Sequence, residues 1–110
     1  MAQYMDLGMV AALAYGKAKA RASEGWARDL EKVWDRSTGV LLKQKGFLGL
    51  RCLWCSDDSG EVIILGMWDT MAHRLAYEAS VSKGVRGAFE ETMQGPARRL
   101  KYIVVKKTAS

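Results

Sequence analysis

The chain has 110 residues, a formal net charge of +5, 49% hydrophobic and 26% charged residues, two cysteines and one histidine. That length buries a core without staples and suits one domain spanning residues 1–110. No run approaches the roughly 18 consecutive apolar residues of a membrane span, and two cysteines are too few for the disulfide framework of a small secreted protein, so the expected setting is a reducing cytoplasm.

Ala18-Lys19-Ala20, after an apolar run, imitates a signal-peptidase site. No Lys or Arg precedes that run, however, and Asp6 stands where a positive charge belongs, which argues against a secretory leader. The positive charges are scattered, with denser patches only at Arg98-Arg99-Lys101 and Lys106-Lys107. Such a balance could attract an anionic ligand or a nucleic acid, but short mixed runs read first as a solvated surface and a frayed tail rather than a nucleic-acid stripe.

In chain order, Met9 to Lys19 alternates, with Met9, Ala11, Leu13 and Tyr15 on one face and Val10, Ala12 and Ala14 on the other, which predicts a strand. Ser23 offers an N-cap to a helix whose apolar stripe is Trp26, Leu30, Val33, Trp34, Ser37 and Leu41, extending to Gln44. Gly46 ends it. A second strand runs from Phe47 to Cys55, and Ser56-Asp57-Asp58-Ser59-Gly60 is a turn cluster short enough for a hairpin with a third strand, Glu61 to Trp68. Asp69 or Thr70 caps a second helix through Ala79, with Met71, Ala72, Leu75, Ala76 and Ala79 as its apolar stripe. A further helical patch carries Val85, Ala88, Phe89, Thr92 and Met93 on one face and stops at Gly95-Pro96. Leu100 to Lys107 is the last strand. The order is that of a ferredoxin-like βαββαβ fold, class α+β, with a four-stranded antiparallel sheet.

This assignment decides how Cys52-Leu53-Trp54-Cys55 reads. On a strand, residues three apart point to opposite faces and lie roughly 10 Å apart, beyond the reach of a disulfide. A redox CxxC opens a helix instead, and a zinc site needs more ligands than one His and one CxxC supply. Both cysteines are expected to be packing residues. The third strand is apolar on both faces, Val62, Ile64, Gly66 and Trp68 against Ile63, Leu65 and Met67. A lone antiparallel sheet with one wet face alternates apolar and polar residues. Two apolar faces imply a partner surface, and a homodimer through the sheet faces is the expectation.

The stretch from Lys45 to Ser80 resembles the antibiotic biosynthesis monooxygenase family of dimeric α+β barrels. The matching residues are Gly46-Phe47-Leu48-Gly49 after the long helix, Arg51 in the following strand, the SDDSG hairpin, Trp68-Asp69-Thr70 ending the third strand, and a short helix closing at Ala79-Ser80. The resemblance implies a barrel closed by two sheets. Among the activities it implies is cofactor-independent oxygenation of phenols to quinones, in which the substrate itself reduces oxygen inside a dry pocket between sheet and helices. A haem-degrading member and a non-catalytic ligand-binding dimer of the same fold are the alternatives. The chain contains no Asn, whereas the haem-degrading branch and the phenol oxygenases both use one.

The resemblance places Trp68 in the wall of a pocket for a small aromatic ligand and gives Tyr77 a position reaching into it, whereas periodicity turns Tyr77 outward. His73, with a pKa near neutrality, is a candidate general base, although periodicity turns it outward. Arg51 is a candidate to hold an anionic substrate oxygen, or else a charge snorkelling at a sheet edge. Trp26 and Trp34 are core residues by periodicity and complete the candidate substrate-binding set. No Gly-rich dinucleotide turn follows the first strand and the ligands for a catalytic metal are too few, so neither a cofactor nor a metal is expected. KGFLGLRC has some likeness to an RNA-binding signature, but Gly49 stands where a stacking aromatic belongs, and no nucleic-acid partner is expected.

Overall fold

The computed structural model describes residues 6–109. Its elements are β1 (Val10–Lys17), α1 (Ser23–Leu41), β2 (Phe47–Trp54), β3 (Glu61–Trp68), α2 (Met71–Ser80), α3 (Ser82–Glu90) and β4 (Arg98–Ile103). The four strands form one antiparallel sheet in the order β2-β3-β1-β4. This is the ferredoxin-like α+β arrangement that the alternation of periods predicted.

The period-2 rule sorts each strand into two faces. Val10, Ala12 and Ala14 on β1 lie beside Trp68, Gly66 and Ile64 on β3. They meet Trp26, Leu30, Val33 and Leu41 from α1, Tyr77 from α2, and Val85 and Phe89 from α3 in one apolar cluster. Burying each large apolar side chain stabilises the fold by about 1.5–3 kcal/mol. No described helix lies on the opposite face, where Leu13, Tyr15, Ile63 and Leu65 are half-buried and Leu53 and Tyr102 are exposed. Among the described residues no helix is long and apolar enough to cross a membrane.

The structure revises several expectations. Ser23 is not a capping residue: it is the first helical residue of α1, and Ala22 precedes it with no side-chain cap. The helix ends at Leu41, where Gln44 Nε2 donates to the Val40 carbonyl and Gly46 adopts φ +86°. Thr70 does cap α2, its side chain accepting from His73 N. The buried stripe expected on α2 is rotated. Leu75, Ala72, Ala76 and Ala79 are exposed, and Tyr77, at 3% exposure, is the buried residue of that helix. Three of the expected stripe residues are alanines, whose burial gains little. Turning the other face inward buries a whole aromatic ring and the aliphatic stem of Arg74.

The last strand starts two residues earlier than expected and stops at Ile103. Arg99 and Lys101 therefore lie beside Ala14 and Ala12, on the helix-covered face. That patch is not simply a solvated tail. Arg99 pairs with Glu90 and Lys101 with Glu78.

Candidate functional site

Between the sheet and its helices lies a cavity of about 110 Å³. Its apolar wall includes Ala12, Ala14, Phe47, Leu50, Ile64, Val85 and Phe89, and its charged residues are Arg74, Glu78, Arg86, Glu90, Arg99 and Lys101. Small residues on β1 and Gly66 on β3 keep the sheet floor low, which leaves the space open. A side chain at Gly66 would put its first carbon 3.5 Å from Trp68 Nε1.

Four aromatic residues border the cavity, and three of them, Phe47, Trp68 and Tyr77, touch one another. Phe47 meets Trp68 edge-on at 5.3 Å, and Trp68 lies 5.0 Å from Tyr77. The Arg74 guanidinium sits over both of the latter, 5.7 Å from the Trp68 ring and 5.0 Å from the Tyr77 ring, a cation–π arrangement. It is held there by Glu78, which accepts from Arg74 Nε at 2.7 Å and from Lys101 Nζ at 2.9 Å.

Trp68 is fully buried, and its indole Nε1 has no hydrogen-bond partner. Among the described residues only Ser37 Oγ shares that condition. A buried donor left without a partner costs about 1–3 kcal/mol, and such groups are rare in native folds. Burial pushes the Tyr77 hydroxyl above its usual pKa, against the opposing pull of Arg74, Arg99 and Arg86. Tyr77 is therefore a proton donor at neutral pH and not a base. Burial alone would raise the Glu78 carboxyl too, but hydrogen bonds from Arg74 and Lys101 outweigh it and hold Glu78 below the usual range. Glu90 is likewise lowered, first by the Ala97 amide and further by Arg99.

The candidate residues read from sequence separate on this map. Trp68 and Tyr77 line the cavity, while His73, Arg51, Trp26 and Trp34 do not. Trp26 is core: it packs 6.0 Å from Trp54 and donates Nε1 to Thr92 Oγ1. Trp34 packs half-buried against the same core. Arg51 is exposed, pairs in register with Leu65 on the sheet face away from the helices, and donates to the Leu50 carbonyl. Neither tryptophan lines the cavity, and Arg51 lies on the opposite face of the sheet from it.

His73 is engaged elsewhere. Its Nδ1 is 2.7 Å from Asp69 Oδ1, and the pair packs on Gly46, whose carbonyl accepts from Asp69 N. This clamp fixes the start of α2 to the start of β2. The hydrogen bond from His73 holds the Asp69 carboxyl below its usual value. A carboxylate with a lowered folded pKa contributes stability above the ordinary carboxylate range and loses it as pH falls through the lowered value. Asp69→Asn is therefore expected to cost up to about 1 kcal/mol at pH 7, discounted for solvent exposure. The gap to wild type should close below about pH 4 in thermal melts.

The cysteines are free thiols. Cys52 faces the helix side beside Ile64, and burial pushes its pKa up to about 11. At pH 8 about one Cys52 in a thousand is thiolate at that pKa. Alkylation by iodoacetamide should therefore be slow at Cys52 and accelerate steadily up to pH 11, as peptide mass spectrometry would read it. Cys55 lies at the hairpin, where its sulfur and the carboxylates of Asp57 and Glu61 come within 4.8 Å of one another. Both acids are exposed, and Asp57 is lowered by hydrogen bonds, the Cys55 thiol first and Ser59 next.

Arg74, Glu78, Arg86 and Glu90 escaped the sequence reading, and Arg99 entered it only as part of a basic patch. One signal was present: Arg74 and Glu78 are four apart and flank Tyr77, a spacing that puts all three on one helix face.

Residues 17–94 match the antibiotic biosynthesis monooxygenase family. The chain belongs to that family. The Lys45–Ser80 stretch that carried the resemblance lies inside the match. Solved structures of similar shape include SnoaB of Streptomyces nogalater, described as a cofactor-independent oxygenase, at 12% identity and a TM-score of 0.70 over 94% of this chain and 99% of that one. A monooxygenase from the gene ActVA-Orf6 of Streptomyces coelicolor, in complex with nanaomycin D, gives 17% identity and a TM-score of 0.71 over 94% and 93%. A conserved protein of Methanosarcina mazei gives 12% and 0.68 over 94% and 97%. At these identities the likeness is one of fold. No curated protein matches the chain.

Proposed function

We propose that this antibiotic biosynthesis monooxygenase family member is an oxygenase that oxidises a small phenol or hydroquinone with O2 in the cavity beside Trp68, the substrate supplying the electrons. The observation that carries the reading is the buried, unpartnered indole N–H in a wall of aromatic rings. A phenolic oxygen near Gly66 would accept from that N–H, and the Phe47–Trp68–Tyr77 wall would stack the ring.

The chemistry closes without a further reductant. A phenol plus O2 gives a para-quinone plus water, and a hydroquinone plus O2 gives a hydroxyquinone plus water. In each, one oxygen atom ends on a ring carbon, the other leaves as water, and the ring gives up four electrons. The first demand is ionisation of the phenol, because the phenolate is the better electron donor to O2. Five cations, counting Lys83 beside the mouth, face two carboxylates around the cavity, and both acids are already engaged. That excess favours the phenolate, and the indole N–H and the Arg74 guanidinium stabilise the charge in a water-poor site. The proton leaves to solvent through the polar mouth, since Tyr77 and the two acids are poor bases.

The other apolar face of the sheet, with Leu13, Ile63 and Leu65, would pack on a second copy as a homodimer, leaving the cavity on the helix side. Sedimentation at micromolar concentration should give the dimer mass, and a monomer would contradict this part. The activity is tested by oxygen uptake across a panel of hydroquinones, naphthols and anthrones. Uptake well above the buffer rate for at least one member is the expected result. No uptake above buffer, with tight binding of the same compounds, would favour a non-catalytic binding protein.

A further inference from the structure

A second, more open recess lies against the mouth of the cavity, between α3 and the start of β4. It is lined by Lys83, Arg86, Gly87, Glu90, Pro96, Ala97 and Arg99, and Arg86, Glu90, Ala97 and Arg99 border both spaces. The two therefore form one continuous binding surface, aromatic inside and cationic outside.

The charges in the recess differ in how they are engaged. Glu90 Oε2 accepts from Arg99 at 2.8 Å and from the Ala97 amide at 2.9 Å. Among the described residues, Lys83 and Arg86 have no ion-pair partner and no side-chain hydrogen bond, although Arg86 is close enough to pull on both Tyr77 and Glu90. Pro96 removes one backbone donor and narrows the conformations of its loop. An aromatic molecule seated against Trp68 can thus extend outward only past uncommitted positive charge.

We infer that the recess is a subsite for an anionic substituent, a carboxylate for which Arg86 offers a two-pronged donor and Lys83 a point charge. This deepens the proposed function, on which it rests, by making the substrate an aromatic acid: a phenolic ring inside and a carboxylate at the mouth. Arg86 is a specificity determinant in this scheme, in addition to its share in the positive charge that favours the phenolate.

The test is calorimetric titration with 2-naphthol and with 6-hydroxy-2-naphthoate, which share the phenolic ring and differ in a carboxylate at the far end. The acid should bind about five- to tenfold tighter at low salt, with the advantage shrinking as ionic strength rises. Arg86→Gln should bring the ratio of the two affinities close to one, whatever smaller loss it causes for 2-naphthol itself, and Arg86→Lys should restore part of the ratio. Equal affinity of the two probes for the wild-type protein would overturn the subsite while leaving the aromatic cavity standing. So would an Arg86→Gln variant that weakens both probes alike. If neither probe binds, the subsite and the proposed function fall together.

Discussion

Replacing Trp68 by Phe is expected to lower turnover of a phenolic substrate about a hundredfold to a thousandfold, the range for losing one preorganised donor to a developing oxyanion. The same change should leave stability nearly intact. Trp68 is fully buried, so trimming it loses packing worth about 1–2 kcal/mol. The indole N–H has no partner, however, and removing an unsatisfied buried donor returns about 1–3 kcal/mol. The two effects roughly offset. Activity that falls while the melting temperature moves by only a few degrees is the signature of a group kept for its ligand. A purely structural tryptophan would show the reverse, stability lost and turnover per folded molecule preserved. Trp68→Ala is a blunter variant, since it leaves a large cavity and costs about 3–5 kcal/mol.

The second large effect is expected at Gly46. Its φ of +86° lies in the left-handed region, which costs an ordinary residue about 1–2 kcal/mol. A Cβ there would also lie 2.2 Å from Asp69 Oδ1, 2.5 Å from His73 Nδ1 and 2.7 Å from His73 Cβ. Side-chain atoms do not approach that closely, so the Asp69–His73 clamp must open. Gly46→Ala should therefore destabilise by at least about 3 kcal/mol, a fall of roughly 10 °C or more in Tm. Because the clamp sets where α2 starts over the sheet, the position of Tyr77 and Arg74 above Trp68 should loosen as well. Gly39→Ala is the matched control: a side chain there meets nothing within 4 Å, and the exposed helical position should gain slightly.

The fold was legible because its signals were local. The alternation on β1, the β-branched apolar run of β3, the spacing of Trp26, Leu30, Val33 and Leu41, and the SDDSG turn each named one element, and a hairpin plus two crossovers leaves few topologies. The site was less legible for two physical reasons. On α2 the hydrophobic stripe consists largely of alanines, so periodicity carried little energy. Burial of one tyrosine and the stem of one arginine decided the rotation of the helix instead. On β4 the strand begins two residues earlier than its first apolar residue suggests, because Arg98 and Arg99 pair with Tyr15 and Ala14 on β1. Arg99 and Lys101 find carboxylates on the helices, and a lone sequence cannot show such cross-element partners. Arg51 illustrates the converse. It was read correctly as a strand residue, but alternation alone does not say which face of a doubly apolar strand meets the helices. Phe47, the aromatic of the RNA-like stretch, packs on Trp68 at the rim of edge strand β2 and is not displayed on an open sheet face.

The central claim, that the substrate reduces O2 by itself and keeps one of its atoms, is tested most directly with labelled oxygen. Protein stripped of flavin and metal is given 18O2 and the panel compound that supports the fastest uptake, and the quinone is weighed by mass spectrometry. The account predicts one labelled atom per quinone, one O2 consumed per quinone formed and no added reductant. An unlabelled product with release of hydrogen peroxide, or uptake that begins only when flavin or iron is supplied, would contradict it.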